Sequence, residues 1–225
     1  MPSSRFNGWS GVGQPASAVS GGSGGGSNLL GKPFVAGTFP DLQWWSHPTI
    51  TFPQHFKISL RYLIHEGVNT QQGLFGQGYE TGGNVAGSIY LLASKRSAGG
   101  GVIEENYRLD ITDGSFANRS AIDFTIPSTE EVKDAVVEVD RNNNIISLTV
   151  GDHTETATLV ADILQDTDPF IVGAIANSGD FQNVAENVML FDFILEDVTA
   201  GSNIIDVDFL GQVGTITNTG TGSSL

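Results

Sequence analysis

The chain contains no cysteine and few basic residues, and both shortages exclude functions. Without cysteine, its 225 residues hold no disulfide, no catalytic thiolate and no cysteine-based zinc site. The chain carries 10 Lys and Arg residues against 25 Asp and Glu residues, a formal net charge of −15. Duplex DNA and anionic membrane surfaces both attract clustered positive charge. The sequence therefore predicts neither a nucleic-acid partner nor a membrane partner.

Long hydrophobic runs are missing as well. No stretch approaches the roughly 18 consecutive apolar residues of a transmembrane helix. The N-terminal residues show no charged segment followed by an apolar run, so we expect no secretory signal. If the protein works outside a cell, we expect it to leave by another route, such as lysis.

The acidic residues are concentrated in the second half of the chain. Residues 1–100 contain 6 basic and 3 acidic residues, whereas residues 101–225 contain 4 basic and 22 acidic residues. Many of the acidic residues lie in turns or alternate with apolar residues, which puts the alternating ones on the outward side of strands. We therefore predict one strongly acidic face, with the surface of the first half turned toward a partner. The residues expected on the acidic face are Glu138, Asp140, Asp192, Asp206 and Asp208.

Residues 1–33 form a segment of different composition. Glycine and serine make up 15 of the first 28 residues, too many for the segment to bury much apolar surface. Phe6, Trp9 and Val12 nevertheless recur at a spacing of three residues. The segment is interpreted as a disordered tail with incidental aromatic residues, or as an extended arm whose three apolar residues contact a neighbouring subunit. For residues 20–27 an engineered linker is a further alternative.

Residues 34–225 show the pattern of short strands separated by turns. Phe56, Ile58, Leu60 and Tyr62 alternate with polar residues, as in a half-buried strand. Asp140 to Asn144 and Gly151-Asp152 are typical of hairpin turns. Only residues 128–135 hint at a helix, with an N-cap serine or threonine and two glutamates in the first turn. About ten strands of ordinary length predict an all-β fold, an antiparallel two-sheet β-sandwich (a jelly roll) over residues 34–225.

The order of these segments resembles the laminin-G-like branch of the concanavalin A-like lectin/glucanase superfamily. The resemblance covers roughly residues 38–196 and rests on the runs 56–60, 73–76, 138–152, 170–174 and 188–194. It implies a concanavalin A-like sandwich. Small, cysteine-free domains of this type with a Gly/Ser-rich arm resemble bacteriophage virion proteins. That resemblance implies a place on the virion, neighbouring virion subunits as partners and a homo-oligomer.

The residues argue against catalysis. The enzymatic branch of the superfamily carries a Glu-x-Asp-x-Glu strand whose carboxylates act as nucleophile and general acid. Glu138 and Asp140 supply its first two positions, but no glutamate follows, and a solvated strand face explains both. His47, His55, His65 and His153 show no zinc-site spacing, and no serine-nucleophile elbow is present. We therefore expect a protein that is not an enzyme, with a divergent glycoside hydrolase as the weakest alternative.

The sequence neither assigns nor excludes calcium binding and sugar binding. Carboxylates near turns are suitable calcium ligands, but none of the clusters has EF-hand spacing, so no metal site or cofactor is assigned. The clusters are Asp110/Asp113, Asp162/Asp166/Asp168 and Asp180 with Asn183 and Glu186.

Trp44-Trp45 is the only adjacent tryptophan pair. Because neighbours on a strand point to opposite faces, one tryptophan of the pair is expected to be exposed. The pair either seals the edge of the sandwich or contacts a partner chain or a host glycan.

Our first hypothesis is a non-enzymatic structural or adhesion protein of a phage particle, as capsid decoration or tail fibre. The alternative is a calcium-dependent glycan-binding lectin module.

Overall fold

The computed structural model describes residues 34–36, 45–48, 50–64, 71–77, 89–114, 118–129, 131–160, 162–163, 169–177, 180–182 and 188–209. These residues form 15 strands. The strands are β1 (Phe34–Ala36), β2 (Trp45–His47), β3 (His55–Ile64), β4 (Gln72–Gln77), β5 (Ile89–Gly99), β6 (Val102–Thr112), β7 (Arg119–Pro127), β8 (Lys133–Asp140), β9 (Ile145–Val150), β10 (His153–Thr158), β11 (Phe170–Val172), β12 (Ile175–Asn177), β13 (Asp180–Gln182), β14 (Val188–Asp197) and β15 (Ser202–Asp208).

The strands form two large antiparallel sheets and a small one. The first large sheet has seven strands in the order β1-β14-β3-β8-β9-β10, with β15 also paired to β14. The second has six strands in the order β2-β11-β4-β5-β6-β7, and β12 and β13 form a separate pair. Hydrophobic residues from both large sheets pack in one core cluster. This arrangement confirms the predicted antiparallel two-sheet β-sandwich.

The alternation of β3 determines which side of the seven-stranded sheet faces the core. Its residues are alternately half-buried and buried from His55 to Ile64. The register aligns Ile58 with Val137 of β8 and with Leu195 of β14, and all three side chains are fully buried. The neighbouring strands therefore present their apolar residues on the same side, as a half-buried sheet requires.

Aromatic rings fill the core between the sheets. Phe193 of β14 lies 5.8 Å from Phe75 of β4 and 5.4 Å from Phe170 of β11, measured between ring centroids. Phe170 also lies 5.8 Å from Phe75. These three rings join the two large sheets, and such pairs add to the free energy of burial.

The two predicted hairpins are present. Asp140 pairs with Ile145 across the first turn, and Val150 pairs with His153 across the second. In the first turn Asn144 has a φ of 54°, a left-handed conformation that asparagine tolerates better than most residues. Gly151 takes the same conformation in the second turn, with a φ of 56°.

The helix hinted at over residues 128–135 is wrong. Where the structure describes this segment, its end belongs to β8, which begins at Lys133. Val137 and Val139 of the same strand are buried in the core, and this packing outweighs the weak capping signal that precedes it. In the described part of the chain, no helix has the length and hydrophobicity that a membrane crossing needs.

The predicted arm lies outside the described residues, together with Phe6, Trp9, Val12 and Trp44. Trp45 belongs to β2 and is 3% exposed. In the isolated chain Trp45 therefore packs in the core and is not an exposed contact. The partner contact stays a prediction for all five residues.

The rings of Phe75, Phe170 and Phe193 meet between the two sheets. Truncation of one of these side chains is therefore expected to lower the stability of the fold strongly. Changing Phe193 to Ala leaves a cavity between the sheets and is expected to lower the free energy of unfolding by about 3–5 kcal/mol. Val102→Ala is the control, because Val102 is 52% exposed, and its expected effect is within about 0.5 kcal/mol. Urea unfolding of both variants measures the difference. Equal effects would contradict the packing described here.

Candidate functional site

An acidic face covers the outer side of the seven-stranded sheet. We use this name for the outward side chains of β3, β8, β14 and β15. The register aligns Lys57 of β3 with Glu138 and Glu196, and it aligns Arg61 with Asp134 and Asp192. Asp206 and Asp208 extend the face on β15, opposite Ile194 and Asp192. The five acidic residues predicted to share a face therefore do so.

The acidic face contains strands from both halves of the sequence, and the orientation of the first-half surface toward a partner stays a prediction. β3, from the first half of the sequence, lies between β14 and β8 from the second half. Its cations are paired within the acidic face. Nζ of Lys57 lies 2.9 Å from Oε2 of Glu196, and Nη2 of Arg61 lies 2.7 Å from Oδ2 of Asp192. In the acidic face, strands from both halves of the sequence are therefore neighbours.

On the acidic face, the Asp192 carboxyl has a raised pKa. Partial burial raises the pKa of its carboxyl above 3.8, although Arg61 opposes the rise. The charges of Asp134, Asp208 and Asp206 add to the rise. The negative charge of Asp192 is therefore less favourable in the folded chain than in the unfolded chain.

Glu138 and Asp140 share the acidic face, as their spacing predicts, but both carboxylates already have partners. Nε2 of His55 lies 2.7 Å from Oε1 of Glu138. Oδ1 of Asp140 accepts the backbone N–H groups of Asn142 and Asn143, and its Oδ2 accepts Nδ2 of Asn143 at 2.6 Å. The Asn143 side-chain hydrogen bond is the main reason that the pKa of Asp140 is lowered. Asp140 is thus a turn-stabilising residue that stays ionised.

A buried polar network crosses the core near the start of β8. The Tyr62 hydroxyl donates to the Tyr107 hydroxyl at 2.8 Å, and Tyr107 donates in turn to Oε2 of Glu105. Oε1 of Glu105 accepts Nζ of Lys133 at 3.0 Å and the Ser128 hydroxyl at 2.9 Å. Burial raises the pKa of both tyrosines, which keeps them neutral donors. The network joins the two sheets, because Glu105 belongs to β6 and Lys133 to β8.

The carboxylates of the Asp110/Asp113 calcium candidate already have protein partners. Asp110 is fully buried between Arg108 and Arg119, and Oδ2 of Asp110 lies 2.6 Å from Nε of Arg108. Burial disfavours the charge of Arg108, but Asp110 outweighs that effect and the pKa of Arg108 is raised. Oδ2 of Asp113 accepts Nδ2 of Asn118 at 2.8 Å. Two guanidinium groups beside Asp110 would repel a cation.

The other two calcium candidates include residues that lie outside the described part of the chain. Asp166, Asp168, Asn183 and Glu186 are not among the described residues, and Asp180 is described only as part of β13. Among the residues that the structure does describe, no three His, Asp or Glu side chains are grouped as metal ligands.

Two of the histidines considered in the sequence analysis, His47 and His153, contact other residues of the fold. His47 is buried in β2, with Nδ1 3.0 Å from the carbonyl oxygen of Pro48. The His153 ring lies 4.5 Å from the ring of Phe124, and its Nε2 lies 3.3 Å from Oε1 of Glu155. His65 lies outside the described residues.

Cavities open at opposite ends of the β8-β9-β10 meander, about 25 Å apart along the strands. One, of about 590 Å³, lies where β8 begins and is lined by Lys133, Asp134 and His153 among others. The other, of about 270 Å³, lies where β8 ends. We call it the Arg141 cavity, and its lining residues are Gln54, Arg141, Asn144, Leu159, Val160 and Asp162.

The Arg141 cavity contains a buried guanidinium group. The Arg141 side chain is 9% exposed, and its Nε lies 3.1 Å from Oδ1 of Asp162. Neither Nε nor Nη2 of Arg141 donates a hydrogen bond to any residue that the structure describes. Buried donors without partners are uncommon and cost free energy.

The backbone around the Arg141 cavity is held by hydrogen bonds. The N–H of Arg141 donates to the carbonyl oxygen of Gln54, and the N–H of Leu159 donates to that of Asn144, both at 2.9 Å. Asp140 stabilises the turn between them. The lining side chains are therefore carried by a fixed hairpin.

Sequence reasoning did not identify this cavity. The hairpin loop from Asp140 to Asn144 was predicted, but only as a turn. The usable signal was the arginine within an otherwise Asp/Asn loop. The convergence of Gln54, Arg141 and Asp162 depends on strand pairing that the sequence pattern does not specify.

No protein-family model matches the chain, and no curated protein matches it. Solved structures similar to it include the CBM40 of an IT-sialidase from Ruminococcus gnavus, at 12% identity and a TM-score of 0.46, covering 63% of this chain and 74% of that one. A heptameric SAP-like pentraxin from Limulus polyphemus has 12% identity and a TM-score of 0.47, covering 74% and 76%. The enzymatically active domain of tailspike protein 2 from bacteriophage CBA120 has 8% identity and a TM-score of 0.48, covering 68% and 23%.

None of these likenesses indicates the laminin-G-like branch or a phage family. At such identities and TM-scores they assign no function to this chain. The functional argument therefore depends on the chain's own residues.

The raised pKa of Asp192 predicts that removing its charge stabilises the fold. Asp192→Asn is expected to raise the free energy of unfolding at pH 7 by less than about 1 kcal/mol, since solvent screens the partly exposed group. The folded chain holds the Asp192 proton more tightly than the unfolded chain, so stability falls as pH rises from 3.8 through the raised pKa. The gain should therefore vanish at a pH below 3.8.

Urea unfolding at both pH values measures this effect. Asp152→Asn removes the same charge at an exposed turn residue and controls for the lower net charge. An Asp192→Asn gain that persists unchanged in acid would contradict the electrostatic explanation.

Proposed function

We propose that this chain is a non-enzymatic structural or adhesion module of a bacteriophage particle, built on a lectin-like β-sandwich. The observation that carries the non-enzymatic part is the engagement of Glu138 and Asp140. A retaining or inverting glycosidase needs one carboxyl group free to protonate the leaving group and another to act as nucleophile or base. Here Glu138 contacts His55, and Asp140 accepts three hydrogen bonds in the hairpin turn.

The proposed place on a particle is supported by the composition of the chain. A cysteine-free sandwich with a Gly/Ser-rich segment containing Phe6, Trp9 and Val12 suits a body that is attached to neighbouring subunits through its arm. Repeated copies would also strengthen a weak contact made by each body through avidity. We accordingly propose a virion location, with virion subunits as partners and a homo-oligomeric state.

Glycan binding is the second candidate function, and the Arg141 cavity favours it. Four of the six lining residues carry polar side chains that donate or accept hydrogen bonds, and the buried Nη2 of the guanidinium has no hydrogen-bond acceptor among the described residues. Sites with a few fixed polar groups in a concave surface are typical of small-ligand binding. A host surface glycan is therefore the proposed ligand of an adhesion role.

The non-enzymatic proposal predicts no hydrolysis. Incubation of the full chain with a panel of bacterial surface polysaccharides is expected to release no reducing ends above the level of a heat-inactivated sample. Glu138→Gln is the matched variant and should behave in the same way. Release by the wild-type chain that Glu138→Gln abolishes would instead support a divergent glycoside hydrolase.

The attachment role of the arm predicts a separation of folding from assembly. Deletion of residues 1–28 should leave the melting temperature of the sandwich unchanged, while incorporation into particles is lost. Quantitative electrophoresis of purified particles measures incorporation. Phe6→Ala with Trp9→Ala tests the aromatic contacts within an arm of full length, and full occupancy of either variant would refute the role of the arm.

A further inference from the structure

We propose that the Arg141 cavity binds a single sugar ring through neighbouring hydroxyl groups, with the Arg141 guanidinium as its principal donor. This inference rests on the glycan-binding candidate above and names its site and ligand class. It concerns the end of the sandwich where the β8–β9 hairpin, the start of β3 and the segment after β10 meet. It uses only residues that the structure describes.

The first argument is the unsatisfied chemistry of Arg141. A guanidinium group has five N–H donors in a fixed plane and no acceptor. The Arg141 side chain is largely buried, and its Nε lies 3.1 Å from Oδ1 of Asp162, whereas Nη2 has no hydrogen-bond acceptor among the described residues. An oxygen atom that enters the cavity can satisfy such a donor and remove the cost of leaving it unpaired.

The second argument is the mixture of donors and acceptors around the guanidinium. The side chains of Gln54 and Asn144 each offer both an N–H donor and a carbonyl acceptor, and Asp162 offers a carboxylate. A hydroxyl group also donates and accepts at once. Two neighbouring hydroxyl groups therefore match this lining better than a ligand that only donates or only accepts.

Charge disfavours the other simple ligands. A metal cation would approach the positive guanidinium. A free anion would meet the Asp162 carboxylate, whose Oδ1 is 3.1 Å from Nε of Arg141, in a chain with a net charge of −15. A neutral polar ligand avoids both repulsions. Asp162 is 74% exposed, and its Oδ1 also accepts the N–H of Ile163 at 2.9 Å.

The size and shape of the cavity restrict the ligand to one ring. Its volume of about 270 Å³ is just below the roughly 300–1,000 Å³ of pockets that hold drug-sized ligands. Leu159 and exposed Val160 provide apolar surface at the same cavity, which suits the C–H groups of a sugar ring. The rest of a longer glycan would extend into solvent.

Backbone hydrogen bonds fix the hairpin that carries the site in the absence of a ligand. Asn144 is held at a φ of 54°, and its carbonyl oxygen accepts the N–H of Leu159. The backbone N–H of Arg141 is fixed to Gln54. A fixed hairpin reduces the ordering entropy that binding would otherwise cost.

The experiment compares variants of the full chain on a glycan array, followed by saturation-transfer NMR with free glucose, galactose, mannose and N-acetylglucosamine. Arg141→Gln should weaken binding at least about tenfold, because it removes hydrogen bonds from a charged donor. Asn144→Gly keeps the positive φ but removes the amide, and it should also weaken binding. Arg96→Gln is the matched control, because Arg96 is an exposed arginine outside the cavity.

The outcomes separate this inference from the proposed function. Glycan binding by the wild-type chain that Arg141→Gln and Asn144→Gly leave unchanged would overturn the site and leave glycan binding intact. No binding of any glycan by the wild-type chain would overturn both. If Arg141→Gln fails to fold, Asn144→Gly and Gln54→Ala decide, since both remove groups from the rim. A Tm increase with inorganic phosphate or calcium chloride, lost in Arg141→Gln and without any response to sugars, would overturn the hydroxyl assignment.

Discussion

The alternation of apolar and polar residues along β3 is the constraint on which the rest of the structure depends. Phe56, Ile58, Leu60 and Tyr62 are buried between the sheets, and a shift of one residue would expose all of them. β3 is also paired on both sides, with β14 and β8. Its register therefore determines which side chains of two further strands reach the core and which reach the acidic face.

The same register explains how the sandwich tolerates its charge. The basic residues of β3 lie between acidic residues of the neighbouring strands, so each cation has carboxylates on both sides. Exposed ion pairs of this kind contribute little stability individually. They do reduce the repulsion among the acidic residues. At Asp192 burial raises the pKa of the carboxyl despite Arg61, and the neighbouring carboxylates add to the rise.

Arg141 differs from the other arginines that have been described. Arg61, Arg108 and Arg119 contact carboxylates of strand residues inside a sheet. Arg141 lies in a hairpin loop and contacts the exposed Asp162. Like Arg61, it has a buried donor without a hydrogen-bond acceptor among the described residues. This buried donor is the physical reason to connect the adhesion proposal with the Arg141 cavity.

The sequence by itself determined the local features of this protein. Period-two alternation identified β3, β8 and β9, and turn residues located both hairpins, because these signals depend on neighbours within a few positions. The shared face of Glu138 and Asp140 followed from the same period. Tertiary structure decided what depends on distant residues. It replaced the hinted helix at 128–135 with the approach to β8, put Trp45 in the core and interleaved the two halves of the chain. It also brought Gln54 beside Arg141. These two residues are far apart in sequence, and they meet because the antiparallel pairing of β3 and β8 aligns the start of β3 with the end of β8.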